Sequence, residues 1–479
     1  MLPVLLVSVD NTVLSFALPE ISRALQPTGN QLLWIVDLYA LMLAGLLIAM
    51  GTLGDRVGRR RLLVAGSLGF GAASLLAAFS TAPEVLIVAR GLLGFFGAML
   101  MPSTLSLIRN VFHDARDRRV AIATWAAMFS GGAALGPIVG GWLLEHFWWG
   151  SVFLINVPII AVFVPLALLT LPESRDPAPG RFDLPSIVLS MGTMVPAVFA
   201  IKHGLKYGLD DLTLASLAAT FVCGVAFLRR QLTAESPLVD PALFRNPVFS
   251  GALTANLLSM MGFTGFLFFA AQLLQLVIGL SPMQSALVLL PGLVVTIVMG
   301  FVAVRLVGRF PVRALVAGSF VASSLGYALA AFTGHPTVAS VMIAFAIMGI
   351  GIGMAETLTN DLILASVPPN RAGAASAISE TAYEVGAVLG TALLGSIVTA
   401  TYRDHLTVPA MVHFGETDHS FETLGSTLEY AAHYPNRLGE ALVNSAKSAF
   451  DLGVQFSSGT AIVIALLAAL VSWRTLKRA

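Results

Sequence analysis

In the run AISETAYEVGAVLG (377 to 390), Glu380 and Glu384 stand four residues apart, on one face of a helix with Tyr383 beside them. The surrounding stretch is apolar enough to dissolve in lipid. A carboxylate at the centre of a bilayer costs about 2.5 to 3.5 kcal/mol on insertion scales, so an acid kept there marks a function and calls for a partner. Counted from Gly373, the two acids stand about 10 and 16 Å up the helix. Two carboxyls so close in a low dielectric cannot both ionise cheaply. The pair is expected to hold a proton, to titrate as a unit, and to lose that proton when a cation arrives. The plainer alternative has one acid bonded to a neighbouring helix and the other lining a passive water path.

Other residues could join this chemistry. Asp10, in VDNTVLSFALPEI, is about 16 Å from the outer end of its helix, near the midplane, with no obvious local partner. A cavity-facing cation or proton site is preferred there over a hydrogen bond within the bundle. Asp37 and Arg90 should lie at similar depth and form a pair, which is either a structural bridge or a switch in which protonating Asp37 frees Arg90. Trp34, one turn from Asp37, could stack on a flat cation or simply sit in the interfacial aromatic belt. Glu356, in AETLTNDLIL, is expected a turn or more inside its helix end as an entry-side proton site, with Asp361 at the headgroups.

Two further motifs concern helix packing rather than protons. GTLGDRVGRRRLL (51 to 63) sets Asp55 among Arg56 and Arg59, framed by Gly51, Gly54 and Gly58. That pattern reads as a charge-paired tight turn, beyond the simple basic anchor its arginines would supply. SGGAALGPIVGG (130 to 141) places Gly132, Gly136 and Gly140 at steps of four, a face on which another backbone can lie closely, and Pro137 loosens the helix.

The elements that must position these groups are transmembrane helices. The 479 residues are 57% hydrophobic and 11% charged, with a mean hydropathy of +0.85, too little polar surface for a soluble fold. Apolar runs divide at charge, Gly and Pro clusters into fourteen expected spans: about 1 to 21, 32 to 53, 62 to 80, 85 to 108, 119 to 143, 150 to 171, 184 to 201, 212 to 228, 248 to 272, 284 to 304, 312 to 332, 337 to 361, 373 to 399 and 452 to 473. Most of the 27 Lys and Arg fall after even-numbered spans, among them Arg60, Arg61, Arg118, Arg119, Arg229, Arg230 and Arg474, against Arg23, Lys202, Lys206, Arg403, Arg437 and Lys447 on the other side. Both termini are therefore expected in the cytoplasm, with the protein in the cell membrane. The first span lacks the basic start of a targeting peptide and holds Asp10 in its middle, so it should be a retained helix; having no polar arm, it is expected either to have a coding start upstream or to have been trimmed. The external loop 402 to 449 is polar, and LGEALVNSAKSAFDLG within it has helical periodicity and is expected to lie along the membrane surface as a tether.

Several classes fall away. There is no basic stripe for nucleic acid, no phosphate-binding glycine loop, and no histidine cluster with metal-ligand spacing, so neither an enzyme site, a cofactor nor a metal is expected. The single Cys223 reads as an inert thiol.

The 51 to 63 run resembles the signature loop of the major facilitator superfamily. LIVARGLLGFFGAMLMPS (86 to 103) is similar to the superfamily's fourth-helix arginine motif, and VDNTVLSFALPEI, SGGAALGPIVGG, LINVP (154 to 158) and SPLVDPALFRNPVF (236 to 249) are similar to motifs of its fourteen-span drug/proton antiporter branch. LLWIVDLYAL (32 to 41) and SETAYEVG (379 to 386) look most like pumps for quaternary ammonium compounds, dyes and methyl viologen. The resemblance implies an all-α fold of two six-helix bundles of inverted repeats, at 1 to 171 and 231 to 479, with two extra helices at 172 to 230. It also implies a seal against proton leak at Gly136 and Pro137, gating by Asp55, Arg56, Arg59 and Arg90, and export of cationic drugs by a monomer driven by the proton gradient. A proton-coupled symporter and a non-transporting sensor or scaffold are the alternatives.

Overall fold

The structure is a computed structural model describing residues 1–25, 29–175, 183–234, 237, 239, 241–334, 336–368, 372–408, 421, 424–432, 434 and 437–478. Its long elements are helices: α1 Leu2–Leu25, α2 Gly29–Val57, α3 Arg59–Ala78, α4 Pro83–Val111, α5 Ala115–His146, α6 Ser151–Thr170 (broken at Ile155), α7 Leu184–Tyr207, α8 Asp211–Thr233, α9 Pro247–Gln272, α10 Pro282–Leu306, α11 Val312–Phe332, α12 Val338–Ala365, α13 Ala372–His405 and α14 Arg437–Thr475. Thirteen of them carry a segment long and apolar enough to cross a membrane; α1 holds a shorter apolar segment, Leu2–Leu14. These are the fourteen spans of the sequence, lengthened at most ends.

Local chemistry sets the boundaries. Proline opens α4, α9 and α10, where its missing N–H costs nothing. Ser281 with Gln284 and Thr337 with Ser340 form capping boxes at α10 and α12. Between α2 and α3 the chain turns on Gly58 at φ 119, where a Cβ would lie 2.7 Å from Glu173 Oε1. Asp210 caps α8 and accepts a hydrogen bond from His203 Nε2 at 2.9 Å; these bonds, the His203 one foremost, hold its carboxyl down at about 2.

The apolar side chains of α1 to α6 gather in one core and those of α9 to α14 in two adjoining ones. The bundles meet along α2 with α13 and α5 with α10. Adding eight to a first-bundle helix number gives its second-bundle counterpart, so these two pairs are one contact seen from either side of a pseudo-twofold axis. The same symmetry governs the glycine faces. A Cβ at Gly132 would sit 2.8 Å from the Leu5 carbonyl of α1, and one at Gly136 would strike Thr12; Gly386 and Gly390 of α13 likewise accept the Leu257 and Met261 carbonyls of α9. The α7 and α8 hairpin leans on α2, where Gly45 meets Val195, and the Cys223 thiol packs over Gly192.

The 438 to 453 segment departs from expectation. It is the first half of the continuous helix α14, and its apolar side chains Ala446, Ala449 and Phe450 are buried in the second-bundle core. Lys447 donates to the Val277 carbonyl at 2.8 Å, where a π turn ends the strand of helix leaving α9. The periodic face meets protein rather than lipid headgroups, because it runs on in register with the apolar face of the last span.

Candidate functional site

Asp10 is 0% exposed, at the point where α1, α4 and α6 converge. Its Oδ2 accepts from Arg90 Nη1 at 3.1 Å and its Oδ1 from Asn156 Nδ2 at 2.9 Å, and that amide also reaches Ser74 Oγ at 3.1 Å. The Arg90 guanidinium donates from Nε to the Ile35 carbonyl at 3.0 Å and lies 4.4 Å above the Tyr39 ring. This corrects one expectation: Asp10 has a partner, Arg90 reached across from α1, and is closed off from any cavity in this conformation. The expected pair of Asp37 with Arg90 falls on a side chain outside the described ones. A buried guanidinium needs a carboxylate at bonding distance, and Asp10 supplies one. Trp34 is 43% exposed at its end of α2.

In the second bundle, Glu380 is 2% exposed and Tyr383 buried, while Glu384 keeps part of its surface open. The Tyr383 ring meets Phe129 of α5 edge-on at 5.0 Å, and Phe129 stacks over Trp125 at 6.2 Å, so an aromatic row bridges the bundles beside the acids. Below Glu380, Asn256 of α9 donates to Ser379 Oγ at 3.1 Å and Ser379 donates to Asn360 of α12 at 2.7 Å, fixing three helices at one level. Glu356 is buried on α12, more than a turn inside the helix end at Ala365, as expected for its depth. Between the two bundles stands Tyr39, buried, within electrostatic range of Asp10, Arg90 and Glu384.

At the arginine-rich end the bundles are tied directly. Asp55 Oδ1 accepts from Arg59 Nε and Nη2 at 2.9 and 2.6 Å, while its Oδ2 accepts from the Ala374 N–H at 3.1 Å. That N–H belongs to the first turn of α13, where unpaired donors and the helix dipole favour an anion. Arg59 Nη1 donates to Ser174 at 2.7 Å, and Arg56 lies exposed on the same turn. Asp361, expected at the headgroups, is instead buried and accepts from Arg118 Nε at 2.7 Å and Arg119 Nε at 2.8 Å across the bundle boundary. It is drawn inward because α12 continues past it to Ala365, and Leu364 enters the first bundle's core.

Charge-assisted bonds to a buried group are worth about 1.5 to 3 kcal/mol each. Asp361→Asn is therefore expected to favour separation of the bundles at this end. In a Cys223→Ser, Leu364→Cys background, it should speed labelling by a permeant thiol reagent about tenfold or more; unchanged labelling would show that the arginine fork does not hold the bundles together.

Tyr39, Asn156, Asp361 and its two arginines were not singled out from the sequence as site residues. For Tyr39 and Asn156 the available signal was their place inside the runs LLWIVDLYAL and LINVP.

The family model described as Major Facilitator Superfamily matches residues 2–391. The chain is 49% identical over 471 residues to "Multidrug efflux pump LfrA" of Mycolicibacterium smegmatis, covering 98% of this chain and 94% of that protein. It is 35% identical over 478 residues to "Methyl viologen resistance protein SmvA" of Salmonella typhimurium, covering 99% and 96%. Among solved structures, the human organic anion transporter MFSD10 shares the fold at a TM-score of 0.63 and 13% identity over 98% of this chain and 97% of that one. The proton:xylose symporter XylE does so at 0.58 and 17%, over 99% and 93%.

Proposed function

The chain belongs to the major facilitator superfamily, and from that membership we propose that it is a proton-coupled exporter of hydrophobic cations in the cytoplasmic membrane. The arginine-rich end and both termini face the cytoplasm, and the three parts are the bundle at 1 to 171, the inserted pair at 172 to 230 and the bundle at 231 to 479. The observation that carries this reading is the pair of charge systems meeting at Tyr39: Asp10 with Arg90 on one side, Glu384 and Glu380 on the other. An acid already bound to a buried arginine is poised as a proton-dependent switch. An acid with part of its surface open is poised to meet cargo.

In the exchange, a cation entering from the cytoplasm displaces the proton shared by Glu380 and Glu384, with Glu384 at the cargo. Tyr383, Phe129 and Trp34 offer flat apolar surface without strict geometry. Protonating Asp10 from outside loosens its hold on Arg90, and Arg90 reports that change through the Tyr39 ring. The bonds of Asp55 and Asp361 keep the cytoplasmic end shut while the external side is served, and the glycine face at Gly136 and Pro137 keeps α5 close on α1 so that protons do not leak. One proton against one monovalent cation moves no net charge; a second adds about 2.3 kcal/mol per 100 mV, which favours several titratable acids where the cargo is a dication.

The names of two relatives, an efflux pump and a methyl viologen resistance protein, support cationic drugs as the cargo. Cells expressing the chain should tolerate more methyl viologen and quaternary ammonium compound, with the gain abolished by a protonophore. Tolerance equal to that of empty cells across mono- and dicationic compounds would overturn the reading.

A further inference from the structure

The exchange just described makes no use of Glu356. This side chain is 2% exposed, and its Oε1 has no hydrogen-bond partner among the described residues. Its position follows from helix register. Helices α12 and α13 run antiparallel and are joined at Asn360 and Ser379, so four residues back along α12 and four forward along α13 bring Glu356 level with Tyr383, with Glu380 just below. Both Tyr383 and Glu380 lie within its electrostatic range.

Among the described residues, no neighbouring element brings a counter-charge to this level; Arg305 and Arg313 lie in the last turn of α10 and the first turn of α11, beyond the Gly300 contact with Thr357. Helices α10 and α11 approach α12 through Gly292, Thr296, Gly300, Ser319 and Ser323, and α9 contains no charged residue. The arginines of α5, Arg118 and Arg119, are engaged by Asp361 five residues further on. The nearest ionisable groups on α13 are acidic or phenolic. An ionised carboxylate without donor or cation in such a setting is untenable, so this carboxyl carries its proton in the present conformation.

We propose that Glu356 is a second proton-carrying site, separate from the Glu380 and Glu384 pair, which is emptied when the cargo carries two positive charges. The proposal rests on the exporter reading and extends it to stoichiometry. The first positive charge is balanced by the carboxylate that the α13 pair exposes on losing its proton. The second requires another anion in the same low dielectric, and Glu356 stands next to Tyr383 to provide it. Its O–H bond breaks, the proton passes to water on the cytoplasmic side, and the carboxylate remains to face the dication. Once the cargo leaves outward, a proton from external water restores the acid.

The test is proton release by purified protein in nanodiscs, read with a pH dye on adding methyl viologen or tetraphenylphosphonium. Wild type should release about twice as many protons per bound methyl viologen as per bound tetraphenylphosphonium. Glu356→Gln should reduce the methyl viologen release by about half. Infrared difference spectra should lose two protonated-carboxyl bands on methyl viologen binding in wild type and one in Glu356→Gln. If Glu356→Gln fails to fold, Glu356→Asp serves instead: one of the two lost bands should move, and both staying in place would overturn the proposal. Equal proton release by Glu356→Gln and wild type would overturn it as well. Absence of release from wild type with either cation would instead overturn the exporter reading on which it rests.

Discussion

Asp10→Ala is expected to abolish export and to lower the stability of the protein by about 3 to 5 kcal/mol, the usual cost of stranding a buried charge. The stranded group is Arg90, 1% exposed, left among the described residues with the Ile35 carbonyl and the Tyr39 ring. Thermal unfolding in detergent and drug tolerance of cells measure the two losses separately. The double variant Asp10→Asn with Arg90→Gln removes both charges and leaves polar groups that can still bond Asn156 and Ile35. Most of the stability should return and export should not. Recovery of export together with stability would reduce the pair to a structural bridge.

Glu384→Gln has the opposite profile. Part of its surface is open, and the substitution keeps shape while removing charge, so stability should change by about 0.5 kcal/mol or less. Tolerance of quaternary cations should nevertheless fall to that of cells without the protein, and the purified variant should release no proton on binding them. Glu384→Asp, which restores the charge on a shorter stem, should recover part of both. Unaltered tolerance in Glu384→Gln would remove this residue from the cargo site and leave Glu380 as the acid to examine.

The spans were legible because a run of about twenty apolar residues is a property of composition and length. Pairings between helices were not. Depth in the membrane can be counted along a chain, and it put Asp10 near the midplane with no local partner; only the convergence of α1, α4 and α6 brings Arg90 and Asn156 onto that carboxylate. The same limit explains Asp361, whose place near the end of an apolar run reads as headgroup until α5 is seen to bring Arg118 and Arg119 against it. Periodicity in 438 to 453 correctly announced a helix but could not say what its apolar face touches, which is the core beside α13. Glycine spacing was more informative, since a face without side chains can only serve close approach, and both the α5 and α13 faces do so. Of the acids, Glu380 and Glu384 were visible by spacing alone, whereas the setting of Glu356 follows from the antiparallel register of α12 and α13.

The central claim is that a proton gradient drives cation export through this chain. Everted membrane vesicles carrying the protein, with the lumen acidified, test it most directly. Methyl viologen or a fluorescent quaternary cation should accumulate inside them, and accumulation should collapse on adding a protonophore and be absent with Glu384→Gln. Acidified vesicles that take up no more cation than vesicles lacking the protein would contradict it.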